Sequence, residues 1–344
     1  LTQYTTKGYK SNGSYNSVIE DYSLVNKNRE QLLNIMYKYN LNANSNFVSA
    51  VIINKNYLGQ ENNNNFSLYQ GLSFAFWLIF WICHCHKILT MNSQQRFKNK
   101  KALVTGANGG IGRALVKALK NEGALVAVTD INTLKIKADA NFDGDLLDSK
   151  FCDELPMRVF QKLDGIDFLC NIAGVITRGK INEVTDEDYN LTMKVNVEAP
   201  FRLCRASIPL MKSGSAIVNA SSCWGLRPGP NHPLYVMSKA AIASLTQCLG
   251  LDHANQGIRV NAVCPNEVNT QMIRSGFEVR GLNPDKALEE LNKTVPLGRI
   301  AEPKDIVDVI LFLLSDDSRY MCGSVVEVNG AKPVVWLILW IKLL

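Results

Sequence analysis

The sequence predicts an α/β fold, a doubly wound sheet of about seven parallel strands in a single domain with an irregular N-terminal extension. Three observations carry this expectation. Between Lys100 and Asn329, apolar runs of strand length alternate with longer segments of helical period, as a parallel sheet covered on both faces requires. A glycine-rich turn from Gly106 to Gly112 stands directly between the first such run and the first helical segment. With 344 residues and 47% hydrophobic content, the chain can bury one core of roughly 200 to 250 residues and leave about a hundred over.

The surplus lies at the ends. Residues 1–65 are rich in Asn, Tyr, Lys and Ser and hold no sustained period, a composition of disorder to which no fold is assigned. The segment 66–90 is charge-free as far as His86 and is followed by Lys87, Arg96, Lys98, Lys100 and Lys101. Two readings of it stand: a short membrane-spanning or interfacial helix with the domain on the cytoplasmic side of its positive flank, or an upstream extension absent from the working protein, with Met91 shortly before the first strand. Its solid apolar core is shorter than the roughly 20 residues a span needs. The tail 333–344 is shorter still and reads as a buried or subunit-contacting segment.

Charge excludes one class of partner. Residues 1–101 hold 11 Lys and Arg against 4 Asp and Glu, whereas residues 102–344 hold 26 against 27, so the folded body offers no electrostatic footprint for nucleic acid. The nine cysteines, Cys83, Cys85, Cys152, Cys170, Cys204, Cys223, Cys248, Cys264 and Cys322, lack paired spacing and are read as reduced thiols of a cytoplasmic protein. Cys83, His84, Cys85 and His86 alternate along one segment and cannot readily wrap a tetrahedral ion, so no metal is expected.

The expected strands are Ala102–Thr105, Leu125–Thr129, a short one near Ala140, Ile166–Cys170, Ala216–Ala220, Arg259–Cys264 and Val325–Val328, with helices beginning near Ile111, Glu154, Asp186, Pro233 and Pro303. Right-handed crossovers make this the Rossmann arrangement. Gly106, Gly110 and Gly112 then allow a sharp turn and close backbone approach to a pyrophosphate, which Asn108, Ile111 and the free N–H groups of the helix behind them would face. Asp130 follows Gly112 by 18 residues at the end of the second strand, where a carboxylate accepts from a ribose 2′-OH and repels a 2′-phosphate. Because Ala107, Asn108 and Gly109 supply no cation, NAD is favoured over NADP. Asp145 and Leu146 are placed against the adenine.

Seven features coincide in order: the Gly106–Gly112 turn, Asp130, the Asn171 to Gly174 segment, Asn196, Ser222, Tyr235 with Lys239, and Pro265 with Thr270. On these, residues 97–332 resemble the short-chain dehydrogenases/reductases. The resemblance implies a hydride transfer between NAD and an alcohol or ketone at Asn196, Ser222, Tyr235 and Lys239, and a homodimer or homotetramer. It also implies that Lys239 holds the nicotinamide ribose and Asn196 a water, that Asn171, Ala173 and Gly174 border the cofactor, and that Pro265, Val268 and Thr270 meet the nicotinamide end. The chain departs from the family at Asn266, where glycine is usual; Asn tolerates left-handed backbone angles, so the turn can survive.

The residues support that chemistry on their own terms. A tyrosine of ordinary pKa near 10 is a poor base, and Lys239, one turn beyond Tyr235, can favour the phenolate. Ser222 ends a strand and can donate to the substrate oxygen, with Ser221 as competitor. The segment Glu267 to Gly298 is the expected lid. Arg178, Arg227, His232, Glu267, Asn269 and Arg274 make the substrate region polar, which favours a small sugar, polyol or hydroxy acid, although surface exposure explains any single one of the six as well. Two alternatives remain: a 3-oxoacyl thioester reductase using NADPH, and a non-catalytic dinucleotide-binding regulator.

Overall fold

In a computed structural model, the structure describes residues 95–332; the readings for 1–65, 66–90 and 333–344 lie outside the described residues. Seven parallel strands form one sheet in the order β3-β2-β1-β4-β5-β6-β7. They are β1 (Lys101–Thr105), β2 (Leu125–Asp130), β3 (Ala140–Asp143), β4 (Phe168–Asn171), β5 (Ala216–Ala220), β6 (Arg259–Pro265) and β7 (Val325–Val328). The order reverses at β1, so a crevice opens beyond the carboxyl ends of β1 and β4.

Successive strand residues serve opposite faces. Ala102, Val104, Val126 and Val128 pack with α1 (Gly110–Asn121) and α9 (Pro303–Leu314) through Leu115, Leu119, Ile306 and Ile310. Leu103, Ala127, Leu169 and Ile217 pack on the other face with α2 (Ser149–Leu163) and α4 (Ala199–Ser207) through Leu155, Val159 and Leu203. Both faces being dry explains why these strands read as unbroken apolar runs. Helix α2 starts at Ser149 rather than near Glu154, because Asp148 caps it, accepting from the Lys150 and Phe151 N–H groups. Pro156 is tolerated inside it.

The remaining helices are α3 (Asp186–Met193), the short α5 (Cys223–Leu226), α6 (Pro233–His253), α7 (Gln271–Glu278) and α8 (Pro284–Lys293). Thr185 and Asp188 close a capping box on α3. Helix α6 turns Ser238, Lys239, Ile242, Thr246 and Gly250 inward; a Cβ on Gly250 would meet the Gly323 nitrogen at 2.3 Å, so only glycine admits that approach. The expected lid holds α7 and α8 around a small core of their own, Phe277, Leu288, Val295 and Ile300.

Arg259 ties the sheet to α9. Its buried guanidinium donates to the carbonyls of Leu313, Leu314, Ser315 and Ser318 at 2.7 to 3.3 Å, filling the acceptors that the end of α9 leaves open. Arg259→Leu strands those carbonyls in a dry site and is expected to cost about 3 kcal/mol. A fall in the urea midpoint at unchanged m-value measures it; a midpoint within error of the parent contradicts it.

Candidate active site

The glycine-rich turn lies between β1 and α1. Gly106 sits at φ +64°, and a Cβ on it would come within 2.6 Å of the Ala173 Cα. Thr105 Oγ1 accepts from the N–H groups of Ile172 and Ala173 at 3.1 and 3.2 Å, which joins the turn to the end of β4. A Cβ on Gly112 would meet the Gly106 carbonyl at 2.1 Å, and one on Gly110 the Thr270 methyl at 2.7 Å. Side chains are excluded here by the backbone's own closeness.

The turn leaves donors free. Gly109, which precedes α1, makes no side-chain cap, and the first backbone bond into the helix comes from Arg113 to the Gly109 carbonyl. Among the described residues, the N–H groups of Gly110, Ile111 and Gly112 therefore meet no acceptor, and they stand at the positive end of the helix. This donor set fits a pyrophosphate.

Asp130 sits where expected, beside the turn. Its two oxygens accept from the Asn108 and Ile131 N–H groups at 2.9 and 2.8 Å. The turn does have a cation, however: Arg113 reaches back from α1, its Nε donating to the Asn108 carbonyl at 2.9 Å and its terminal nitrogen to Asn108 Oδ1. A helix residue that folds over its own N-terminus does not show in the spacing of the turn. Asp145 is exposed and caps its own turn at the Leu147 N–H, 2.9 Å away, while Leu146 packs against the second core.

On the other side of the crevice, Lys239 is buried, 5% exposed, and its ammonium donates to the Ala220 carbonyl at the end of β5, 2.8 Å away. Burial pulls its pKa down to about 8. The ammonium stands 5.8 Å from the centre of the Tyr235 ring. Burial raises the phenol above its ordinary value, and the Ser222 hydroxyl pulls it the other way. The expected acidification of Tyr235 by Lys239 does not appear: loss of water around the phenol outweighs what the Ser222 hydroxyl returns, and Cys223 and Cys264 raise it further.

The two serines separate cleanly. Ser221 Oγ is spent on the Lys239 carbonyl at 2.7 Å, whereas Ser222 Oγ accepts from the Trp224 N–H at 3.2 Å and donates to the Pro265 carbonyl at 3.5 Å. Asn196 sits in a π-helical turn, Lys194–Glu198, between α3 and α4. The extra residue in that turn swings its amide inward, where Oδ1 accepts from the Val175 N–H at 2.8 Å and Nδ2 donates to the Val175 carbonyl at 2.9 Å and Ser238 Oγ at 3.0 Å. A Cβ on Gly174 would lie 3.2 Å from Lys239 Nζ and 3.3 Å from Asn196 Oδ1, so the two groups face one glycine.

Asn171 is buried, its amide donating to Asn219 at 2.9 Å. Pro265 ends β6, Val268 is buried beside Ala301, and Thr270 covers Gly110. Asn266 does not occupy the left-handed region; its N–H donates to the Val328 carbonyl at 3.1 Å and prolongs the pairing of β6 with β7. No strain follows from the missing glycine.

Comparison with known proteins accords with this geometry. A family profile described as Enoyl-(Acyl carrier protein) reductase matches residues 106–330. The chain belongs to the short-chain dehydrogenase/reductase family. An uncharacterized oxidoreductase of Thermotoga maritima is 33% identical over 252 residues, covering 70% of this chain and 99% of that one. A 3-oxoacyl-[acyl-carrier-protein] reductase of the same organism is 32% identical over 252 residues, covering 70% and 100%. The ligand-free aldohexose dehydrogenase of Thermoplasma acidophilum superposes with a TM-score of 0.67 at 27% identity, covering 69% and 95%. The protein is thus an oxidoreductase of this family, which binds NAD(P) and acts on small molecules.

Within this family member, most polar residues assigned to the substrate region are engaged elsewhere. Arg227 pairs with Glu327 at 2.6 Å, Glu267 with Lys332 at 2.5 Å and Arg274 with Asp285 at 2.9 Å, while Asn269 donates to Glu302 at 2.9 Å. Arg178 and His232 remain.

The Lys239 shift has a consequence for stability. Its folded pKa lies near 8 and its unfolded value near 10.5, so between those values only the unfolded chain keeps the proton. Stability contributed by this group therefore rises as pH climbs from about 8 to about 10.5. Lys239→Met is expected to remove that rise; equal pH slopes for the two proteins in urea unfolding would refute it.

Proposed function

We propose that the protein is an NAD-dependent dehydrogenase/reductase that interconverts a small secondary alcohol and its ketone, with Tyr235 as proton carrier. The observation that supports this most is the meeting of Tyr235, Ser222 and Lys239 at the carboxyl ends of β5 and β6, across the crevice from unpaired N–H groups of the glycine-rich turn.

A bound nicotinamide supplies the capacity to take up or give back a hydride. In oxidation, Tyr235 as phenolate takes the hydroxyl proton of the alcohol, and in reduction the phenol returns it. Ser222 donates to the substrate oxygen, and Ser221, bound to the Lys239 backbone, does not. Lys239 keeps a positive charge against the Tyr235 ring and would hold the ribose hydroxyls. Asn196 fixes the Val175 backbone, and the free lone pair of its Oδ1 is where a water toward Lys239 would sit. Residues Gly106, Asn108, Gly110, Ile111 and Gly112 would hold the pyrophosphate, and Asn171, Ala173, Gly174, Pro265, Val268 and Thr270 would border the nicotinamide half.

Asp130 favours NAD, because a 2′-phosphate beside it meets a like charge. Arg113 at the same turn is the observation that favours the second reading, a 3-oxoacyl thioester reductase using NADPH. Free cysteines at Cys152, Cys170, Cys204, Cys223, Cys248, Cys264 and Cys322 suit a reducing, cytoplasmic compartment, and a homo-oligomer accords with the family.

A panel of sugars, polyols, hydroxy acids and ketones with NAD and NADP tests the reading through the absorbance of the reduced cofactor. Tyr235→Phe is expected to lower kcat about 10²- to 10⁴-fold; unaltered kcat overturns the role of the phenol. Asp130→Ala is expected to shift the NAD to NADP ratio of kcat/KM by about tenfold toward NADP, and an unmoved ratio removes Asp130 from cofactor choice. Oxidation, which needs the phenolate, is expected to quicken as pH rises toward and past the ordinary phenol value of about 10 while reduction slows; parallel profiles in both directions contradict this.

A further inference from the structure

Two guanidinium groups converge on one glycine of the lid, and neither has a carboxylate partner among the described residues. Gly276 is buried in α7, and a Cβ on it would stand 2.5 Å from Arg178 Nη2 and 3.1 Å from its Cζ, so the Arg178 head occupies the space a side chain would take. Arg178 Nη2 also donates to the Met272 carbonyl at 3.4 Å. Arg280 Nε donates to the Gly276 carbonyl at 2.8 Å, with its guanidinium 4.9 Å from the centre of the Phe277 ring. The contrast with their neighbours is plain: Arg227 and Arg274, which come from the same surroundings, are paired with Glu327 and Asp285.

This cationic pair connects to the site described above. The Gly179 N–H donates to the Asn231 carbonyl at 2.9 Å, which ties the loop of Arg178 to the loop of His232. The His232 ring lies 4.7 Å from the Trp224 ring, and Trp224 meets Tyr235 edge to face at 6.4 Å. From the phenol to the arginines the path is two aromatic rings long. Both arginines are exposed at the surface, and Arg280 pushes down the pKa of Arg178, as both push down that of His232, after burial in each case. Like charges held together without a counter-ion repel, and an oxyanion bound between them relieves the repulsion while meeting their forked N–H groups. A neutral sugar or polyol gains nothing from such a cluster.

We propose that Arg178 and Arg280 receive an anionic group of the substrate, a carboxylate or a phosphate ester, carried by the same alcohol or ketone whose proton Tyr235 handles. The inference rests on the reading of Tyr235 as proton carrier, and it narrows the substrate to a hydroxy acid or a phosphorylated alcohol. Arg280 and Gly276 escape a reading of the sequence because they meet Arg178 only after folding, from about a hundred positions away.

The test sets hydroxy acids whose carboxylate is far enough from the alcohol to span the two rings against their methyl esters, and phosphorylated alcohols of matching length against the free alcohols, with the full chain and NAD. The anionic member of a pair is expected to exceed the neutral one by at least about tenfold in kcat/KM, the better pair telling carboxylate from phosphate. Arg178→Gln and Arg280→Gln are each expected to raise KM for the anion more than they lower kcat, bringing the ratio toward one. Gly276→Ala, which must displace the Arg178 head, is expected to do the same, and Arg178→Lys to restore part of the preference. Turnover that ignores the charge, with the ratio unmoved by the variants, overturns the proposal and leaves the dehydrogenase reading intact. If no compound turns over, that reading fails, and calorimetry with inorganic phosphate decides the receptor separately. Heat lost in the Arg178→Gln/Arg280→Gln double variant upholds it, and equal heat in parent and variant overturns it.

Discussion

A lysine ammonium held in a dry pocket at the end of the sheet is the constraint around which this structure is arranged. Burying such a charge is costly, and the Ala220 carbonyl is its one direct acceptor among the described residues. The remaining cost appears as a pKa drawn down to about 8. Holding Lys239 there requires α6 to lie close against β5 and β6, and Ser221 secures this from beneath by donating to the Lys239 carbonyl. The same placement fixes Tyr235 one turn earlier, with Ser222 opposite it. The chemistry therefore depends on packing that α6 completes before any ligand is considered.

The dinucleotide half follows a separate logic. Backbone crowding around Gly106, Gly110 and Gly112 makes the turn intolerant of side chains, and the unmet N–H groups of α1 make it attractive to anions. The two halves meet through β4: Thr105 holds Ile172 and Ala173, and just beyond them Gly174 faces Lys239 while Val175 is clamped by Asn196. A shift in the Asn171 to Val175 segment would disturb both.

Much of this is legible from residues alone, for identifiable reasons. Strands buried on both faces leave mainly apolar runs, so β1, β2, β5 and β6 show themselves within a residue or so of their ends, as does the half-buried β7. Glycines forced by sterics, and a Tyr and Lys one helical turn apart, keep their spacing whatever surrounds them. What escaped is of a different kind. The π-turn at Lys194–Glu198 adds a residue without altering composition. Arg113 folding back on Asn108, the ion pairs that consume Arg227, Glu267 and Arg274, and the approach of Arg178 to Arg280 are tertiary facts that no local period records. The direction of the Tyr235 shift also escaped, because burial of a phenol beside a lysine can be weighed only once the depth of both is known.

The burial of Tyr235 and Lys239 side by side is the point on which the account turns, and a pH titration of the Tyr235 Cζ resonance in ¹³C-tyrosine-labelled protein reads it directly. The account predicts a phenol midpoint above its ordinary value of about 10, with an earlier inflection near 8 that belongs to Lys239 and disappears in Lys239→Met. A phenol that titrates at or below its ordinary value, with no inflection near 8, would contradict it.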